Sequence, residues 1–335
     1  MSRFRVIWLG LACTGLISAV TLLPRSAVSA DGGVTDIAEA GPDYALQGEY
    51  VGEFEFEGQA SRVGLQVIAL GDGKFHGVGY LGGLPGDGWD GVTKLEADGE
   101  VQDGVLVFDT GDGRATIEDG RVLVETNDGT ELGTMERTER KSPTLGKPPT
   151  EDAIVLFDGT TSENFEGGRI IEDKLLGVGC KSKQKFGDFQ LHMEFRTPFM
   201  PEARSQGRGN SGVYLQDRYE VQILDSFGLA GLHNECGGIY SLHDPQVNMC
   251  FPPLVWQTYD IDFTAPRFDD EGNKTASARV TVRHNGVVVH EDYEVTEITP
   301  GGQPEGPEPG PIMLQNHGNP VAFRNIWVIP KAGDE

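Results

Sequence analysis

Between Tyr44 and Arg140 the sequence carries eight Asp-Gly pairs, the first Asp72-Gly73 and the last Asp128-Gly129. Gly adopts positive φ freely and Asp tolerates it, so Asp-Gly suits the two-residue hairpin whose twist matches its strands. The runs between the pairs are short and β-leaning, as in Val63-Gly64-Leu65-Gln66-Val67-Ile68, Val105-Leu106-Val107-Phe108 and Val122-Leu123-Val124. A Gly/Asp-rich β-meander over residues 44–140 follows, and helical periodicity is scarce along the whole chain. The pairs also resemble calcium loops, but their spacing is irregular and no EF-hand pattern occurs, so turn chemistry accounts for them. Nothing catalytic stands out in this segment.

Charge narrows the class of partner. Asp and Glu number 52 against 27 Lys and Arg, a net charge of −25. Such a field repels phosphate backbones and anionic lipid, so neither nucleic acid nor a membrane surface is an expected partner of the mature chain. Neutral ligands, or cations held by carboxylates, suit it better. At the start, Arg3 and Arg5 precede an uncharged run from Val6 to Leu23, and Val28-Ser29-Ala30 supplies small residues. This order reads as a signal peptide over residues 1–30, giving a product exported to the periplasm or beyond. Cys13 sits in a poor lipobox. Export permits disulfides, and Cys236 with Cys250 is the candidate pair, leaving Cys180 odd. A zinc site from His233, Glu235, Cys236, His243 and Cys250 matches no familiar ligand spacing.

Residues 31–43 are small and polar and read as a flexible leader. Residues 141–150 carry Pro143, Pro148 and Pro149 and read as a stiff linker open to proteases. From 151 to 330 the strands are longer and cleaner. Phe189, Leu191, Met193 and Phe195 alternate with Gln190, His192, Glu194 and Arg196, giving one buried and one wet face. Asn285-Gly286 marks a hairpin, with His290 on its far strand. Strands separated by turn signals argue for a β-sandwich or jelly roll.

Some of these strands carry more polarity than a structural sheet requires. In Tyr219-Glu220-Val221-Gln222-Ile223 the core takes Tyr219, Val221 and Ile223, so Glu220 and Gln222 share the opposite face. In Ile312-Met313-Leu314-Gln315-Asn316-His317 the same alternation pairs Gln315 with His317. Asn210, between Gly209 and Ser211-Gly212, stands where the backbone can approach a ligand.

These residues also carry a resemblance. Val155-Leu156-Phe157-Asp158-Gly159, Phe186-Gly187-Asp188-Phe189, Gly209-Asn210-Ser211-Gly212-Val213-Tyr214-Leu215-Gln216, Tyr219 to Ser226, Gly238-Ile239-Tyr240, Trp256 to Asp260 and Leu314 to Pro320 occur in order over about residues 151–330. Together they resemble the 3-keto-disaccharide hydrolase domain family. Phe165 stands where the family's opening motif usually has Trp. The segment 201–208 looks inserted, and the loops 269–274 and 300–311 are long. The resemblance implies a concanavalin A-like jelly roll acting on oxidised sugars, preceded here by a small β domain outside the match.

The implied substrate is a 3-keto-glycoside or disaccharide. A ketone at C3 acidifies the hydrogen at C2. A base removes it, the enolate expels the C1 substituent, and water adds to give the free keto sugar. The route needs a base, an acid and a group to hold the enolate oxygen. His317 or Glu220 serves as base, with Asn210, Gln222, Tyr240 and Gln315 binding the sugar and Arg324 stabilising negative charge. No cofactor is called for, although a divalent cation could hold the oxyanion. Direct hydrolysis by Glu220 and Asp225 is the competing chemistry, but alternation puts them on opposite faces. The alternative function is a non-catalytic, lectin-like carbohydrate-binding module.

Overall fold

The structure, a computed structural model, describes residues 33–331 except Glu57 and Asp112. The expected signal peptide, with Cys13, lies outside the described residues. Asp72-Gly73, Asp103-Gly104 and Asp119-Gly120 have both residues at positive φ, and each joins two antiparallel strands. The strands are β1 (Gly48–Phe56), β2 (Gln59–Gly71), β3 (Lys74–Leu81), β4 (Lys94–Gln102), β5 (Val105–Asp109), β6 (Gly113–Glu118), β7 (Arg121–Thr126) and β8 (Glu131–Thr138). They pair in sequence order, and β8 returns to β1. The meander is therefore a closed barrel with no free edge. Asp98-Gly99 does not turn but lies within β4, where Gly99 makes room for the Phe108 ring. Tyr50, Val67, Phe75, Leu106, Ile117 and Val122 form an apolar cluster inside. Lys94, Glu96, Asp98 and Glu100 of β4 are exposed, so this strand turns a charged face outward. Among the described residues no helix is long and apolar enough to cross a membrane.

The sandwich follows. One sheet runs in the order β10 (Phe165–Glu166), β13 (Cys180–Phe186), β22 (Gly310–Leu314), β15 (Ser211–Leu215), β16 (Tyr219–Ile223). The other runs β11 (Ile170–Ile171), β12 (Leu175–Gly177), β23 (Ala322–Pro330), β14 (Phe189–Arg196), β17 (Gln257–Thr264), β20 (Ala278–His284), β21 (Val287–Val295), with β9 (Ile154–Phe157) also on β23. A small hairpin of β18 (Arg267–Phe268) and β19 (Lys274–Ala276) occupies the long 269–274 loop. Phe189, Leu191, Met193 and Phe195 face Val213, Leu215, Val221, Ile223 and Leu314 across the core, as alternation requires.

Three expectations need correction. The leader is not loose from Val34 onward. Val34 exchanges two backbone hydrogen bonds with Phe199 (2.9 and 2.8 Å). Helix α1 (Gly41–Leu46) then sets Tyr44 and Leu46 against the barrel's apolar cluster. Nor is the outer face of β14 wet. His192 and Glu194 are buried, because the 141–150 segment lies across them. Ser142 Oγ is 2.6 Å from Thr258 Oγ1, Thr144 donates to Asp260 (2.6 Å), and the Gly146 N–H donates to Glu194 (2.6 Å). That segment is accordingly docked rather than free. Hydrogen bonds of this kind contribute about 0.5–1.5 kcal/mol each.

Barrel and sandwich also share apolar packing. Ile68, Val78 and Tyr80 of the barrel belong to the sandwich core, while Phe199 and Leu254 of the sandwich join the barrel cluster. The segment 201–208 makes part of this contact, with Arg204 donating to Leu70 O (2.9 Å) and Arg208 to Ala69 O (3.1 Å). Trypsin should therefore cut slowly after Lys141, whose neighbour Ser142 is buried. No fragment beginning at residue 142 should accumulate before global unfolding, whereas Ser142→Ala/Thr144→Ala should release one sooner. Early appearance of that fragment from the unaltered chain, by mass spectrometry, would contradict the docking.

Candidate active site

The strands β22, β15 and β16 lie side by side, so the polar residues on them meet on the outer face of the five-stranded sheet. Tyr214 stands directly opposite Glu220, and Gly212 opposite Gln222. Gly212 leaves a notch in this row. A Cβ there would sit 2.0 Å from Glu220 Oε1, so the carboxyl occupies the space a side chain would fill. Glu220 Oε2 lies 2.7 Å from the Tyr214 hydroxyl. That hydroxyl is also 2.9 Å from the Pro300 carbonyl, and Gln315 Nε2 donates to it at 3.3 Å. Its single proton can serve one acceptor at a time. With Glu220 ionised it donates to the carboxylate. With Glu220 protonated the acid can donate to Tyr214, which then donates to Pro300.

Glu220 is 1% exposed. Burial outweighs the Tyr214 hydrogen bond and pushes its carboxyl up to about 7. Oε2 is thereby anchored, while Oε1 accepts no hydrogen bond from any described residue. The long 300–311 loop helps to cover this face, since Gly301 closes on Tyr214, and the preceding Thr299 Oγ1 accepts the Glu220 N–H (2.9 Å). The segment Gly237–Tyr240 adds to the free edge of β16, with Gln222 N–H donating to Gly238 O and Tyr240 N–H to Glu220 O. Tyr240 is half-buried there.

A chain of amides continues the site. Gln222 Nε2 donates to Gln206 Oε1 (2.9 Å), and Asn210 Nδ2 donates to the Gln206 carbonyl (2.7 Å). Among the described residues, Asn210 Oδ1 and Gln315 Oε1 are buried without a partner. A buried acceptor left unpaired costs about 1–3 kcal/mol, and such groups mark places where a ligand can complete the bonding.

Of the sequence-derived candidates, Glu220, Gln222, Gln315, Asn210 and Tyr240 come together. His317 does not share their sheet face, because β22 ends at Leu314 and the period of two ends with it. It is exposed on the turn beyond, which is tied to the site through Asn319 Oδ1, the acceptor of the Asn210 N–H (2.7 Å). Arg324 is not part of the cluster. It lies on β23 in the other sheet, where it donates to Glu194 (2.6 Å) and covers the Trp256 ring at 4.0 Å. Asp225 is held by Arg208 in a buried ion pair at 2.6 Å, which removes it as a second catalytic carboxylate for Glu220. Cys236 and Cys250 are free buried thiols rather than a disulfide. Cys236 lies 3.3 Å from the Tyr259 hydroxyl, and burial pushes the Cys250 thiol up. His290 is buried and neutral, lowered to about 4 by burial, and donates to Gly237 O (2.7 Å). It braces the segment beside β16 rather than standing apart. Among the described residues no group of three or more His, Cys, Asp or Glu could hold a metal ion.

Sequence reasoning missed Tyr214, Gln206 and the Thr299–Gly301 cover. Tyr214 was within reach of it, since it alternates with core-facing Val213 and Leu215. Gln206 sits in the segment 201–208, where no local pattern signals its role.

Residues 152–329, just over half of the chain, match the model of the 3-keto-alpha-glucoside-1,2-lyase-like domain. The chain belongs to that family. The match starts after the barrel and ends within β23, so the lyase-like domain is the sandwich and contains all of the Glu220 cluster. A solved glycosyl hydrolase candidate from Parabacteroides distasonis ATCC 8503 is 36% identical, covering 54% of this chain and 84% of that one, with a TM-score of 0.49. A second from the same organism is 17% identical, covering 55% and 98%, with a TM-score of 0.39. The search of curated proteins gave no match. The lyase-like domain is an all-β sandwich by its own two sheets, and the family it belongs to is a carbohydrate-active one.

Proposed function

We propose that the chain is an exported enzyme that cleaves 3-keto-glycosides or 3-keto-disaccharides, with Glu220 as the base. The observation that carries this reading is the Glu220 carboxyl itself. It is pushed up to about 7, one oxygen is anchored by Tyr214, the other accepts no hydrogen bond from any described residue, and Gln315, which carries an unpartnered amide oxygen, donates to the same Tyr214 hydroxyl. A base poised near the working pH gives the best product of ionised fraction and basicity.

Glu220 takes the C2 proton, and the electron pair of that bond enters the C2–C3 enolate. The enolate then expels the C1 oxygen, which leaves with a proton. Water adds at C1 and a proton returns to C2, so the net result is hydrolysis. Asn210 and Gln315 accept sugar hydroxyls, Gln222 and Tyr240 border the ring, and His317 on the adjoining turn supplies the leaving oxygen's proton. Tyr214 balances the carboxyl as it gains and loses its proton.

Incubation with a 3-keto-disaccharide in D2O should release monosaccharide bearing deuterium at C2, above the exchange of free product alone. Release without deuterium would favour direct displacement at C1. Sugar binding with no release would leave the lectin-like alternative.

A further inference from the structure

The barrel lies outside the lyase-like domain, and its interior is not uniformly filled. At the end covered by α1, Phe199 and Leu254, the large side chains of Tyr50, Phe75 and Leu106 pack solid. Toward the other end the inward positions shrink to Gly77, Gly79, Ala97 and Ala115. Phe108 lies against Gly77, but at Gly79 an added Cβ would meet nothing nearer than 3.7 Å. The result is a cavity of about 520 Å³ among Val63, Leu65, Ala97, Ala115, Val124 and Met135. This is within the range of small-molecule sites, and eight strands give a lumen wide enough for one small ligand.

The mouth supports the same conclusion. Leu95 and Leu132 line the cavity yet are 68% and 49% exposed. Bulky apolar side chains left in water beside an apolar cavity mark an entrance. Glu55 and Glu96 stand at the same rim, the latter ion-paired with Lys94 at 2.8 Å. With a chain charge of −25, this disfavours a carboxylate or sulfonate ligand.

We propose that the barrel is a binding cup for a neutral, apolar small molecule, entered between Leu95 and Leu132. The site is independent of Glu220 and needs no keto sugar. The probe is N-phenyl-1-naphthylamine, a neutral arylamine that fluoresces in apolar surroundings, added to the full chain. It should bind with one saturable site in the micromolar range. Its anionic relative, 1-anilinonaphthalene-8-sulfonate, should bind at least ten-fold more weakly. Ala115→Phe, which fills the lumen, should weaken the neutral probe at least ten-fold. Should that variant fail to fold, Leu132→Asp alters only the exposed rim and should weaken the neutral probe several-fold. Neutral-probe affinity unchanged in the folded variants would overturn the cup, and equal affinity for the sulfonate would overturn the neutral class of ligand.

Discussion

Glu220→Gln should lower turnover of a 3-keto-disaccharide by about 10² or more, the scale of a lost proton-transfer group. The unaltered enzyme should show kcat/KM rising with pH through an apparent pKa near 7, because only the ionised carboxylate takes the C2 proton. The variant should lack that limb. Stability gives a second reading with a fixed sign. A carboxyl whose folded pKa lies above its unfolded value binds more protons in the native state, so stability falls as pH rises. The contribution is complete below about pH 4 and is lost as pH rises through 7, on the order of 3 kcal/mol for the whole shift. Thermal melts should therefore show Glu220→Gln gaining on the parent chain between pH 4 and 8. Arg324→Ala, in the other sheet, should leave the pH profile of turnover intact. If Glu220→Gln retained both full turnover and the limb near 7, the base would have to be another residue.

Gly212→Ala should cost nearly as much activity without removing any functional group. The new Cβ would stand 2.0 Å from Glu220 Oε1 and 2.8 Å from its Cδ. The carboxyl must swing aside and give up Tyr214. A displacement of about 1 Å at a reacting group can cost 10² in rate, so a fall of that order in kcat is expected. The backbone at Gly212 is not at positive φ, so Ala fits the strand conformation. The stability loss should stay within the 1–3 kcal/mol of ordinary overpacking. Activity measured alongside circular dichroism separates the two effects. The double variant with Glu220→Gln should lose little more than Glu220→Gln alone, because both act through one carboxyl. Multiplicative losses would show that Gly212 acts elsewhere.

What the sequence determined by itself is local. The positive-φ turns at Asp72-Gly73, Asp103-Gly104, Asp119-Gly120 and Asn285-Gly286 follow from residue chemistry within two positions. The shared face of Glu220 and Gln222 follows from the period of two along one strand. The order of family segments was equally legible, since a motif is read along the chain. What only the tertiary structure decided is which strands are neighbours. β22, β15 and β16 are adjacent although Ile223 and Gly310 are far apart in sequence, and that adjacency brings Gln315 to Tyr214 and Glu220. The same pairing puts Arg324 in the other sheet, which no alternation within its own strand reveals. Burial of polar faces was likewise decided at a distance. His192 and Glu194 alternate with core residues as a wet face would, yet the 141–150 segment covers them. The titration of Glu220 near neutrality is of this kind too. A carboxyl's affinity for its proton depends on the water removed around it, and here that depends on a loop some 80 residues downstream.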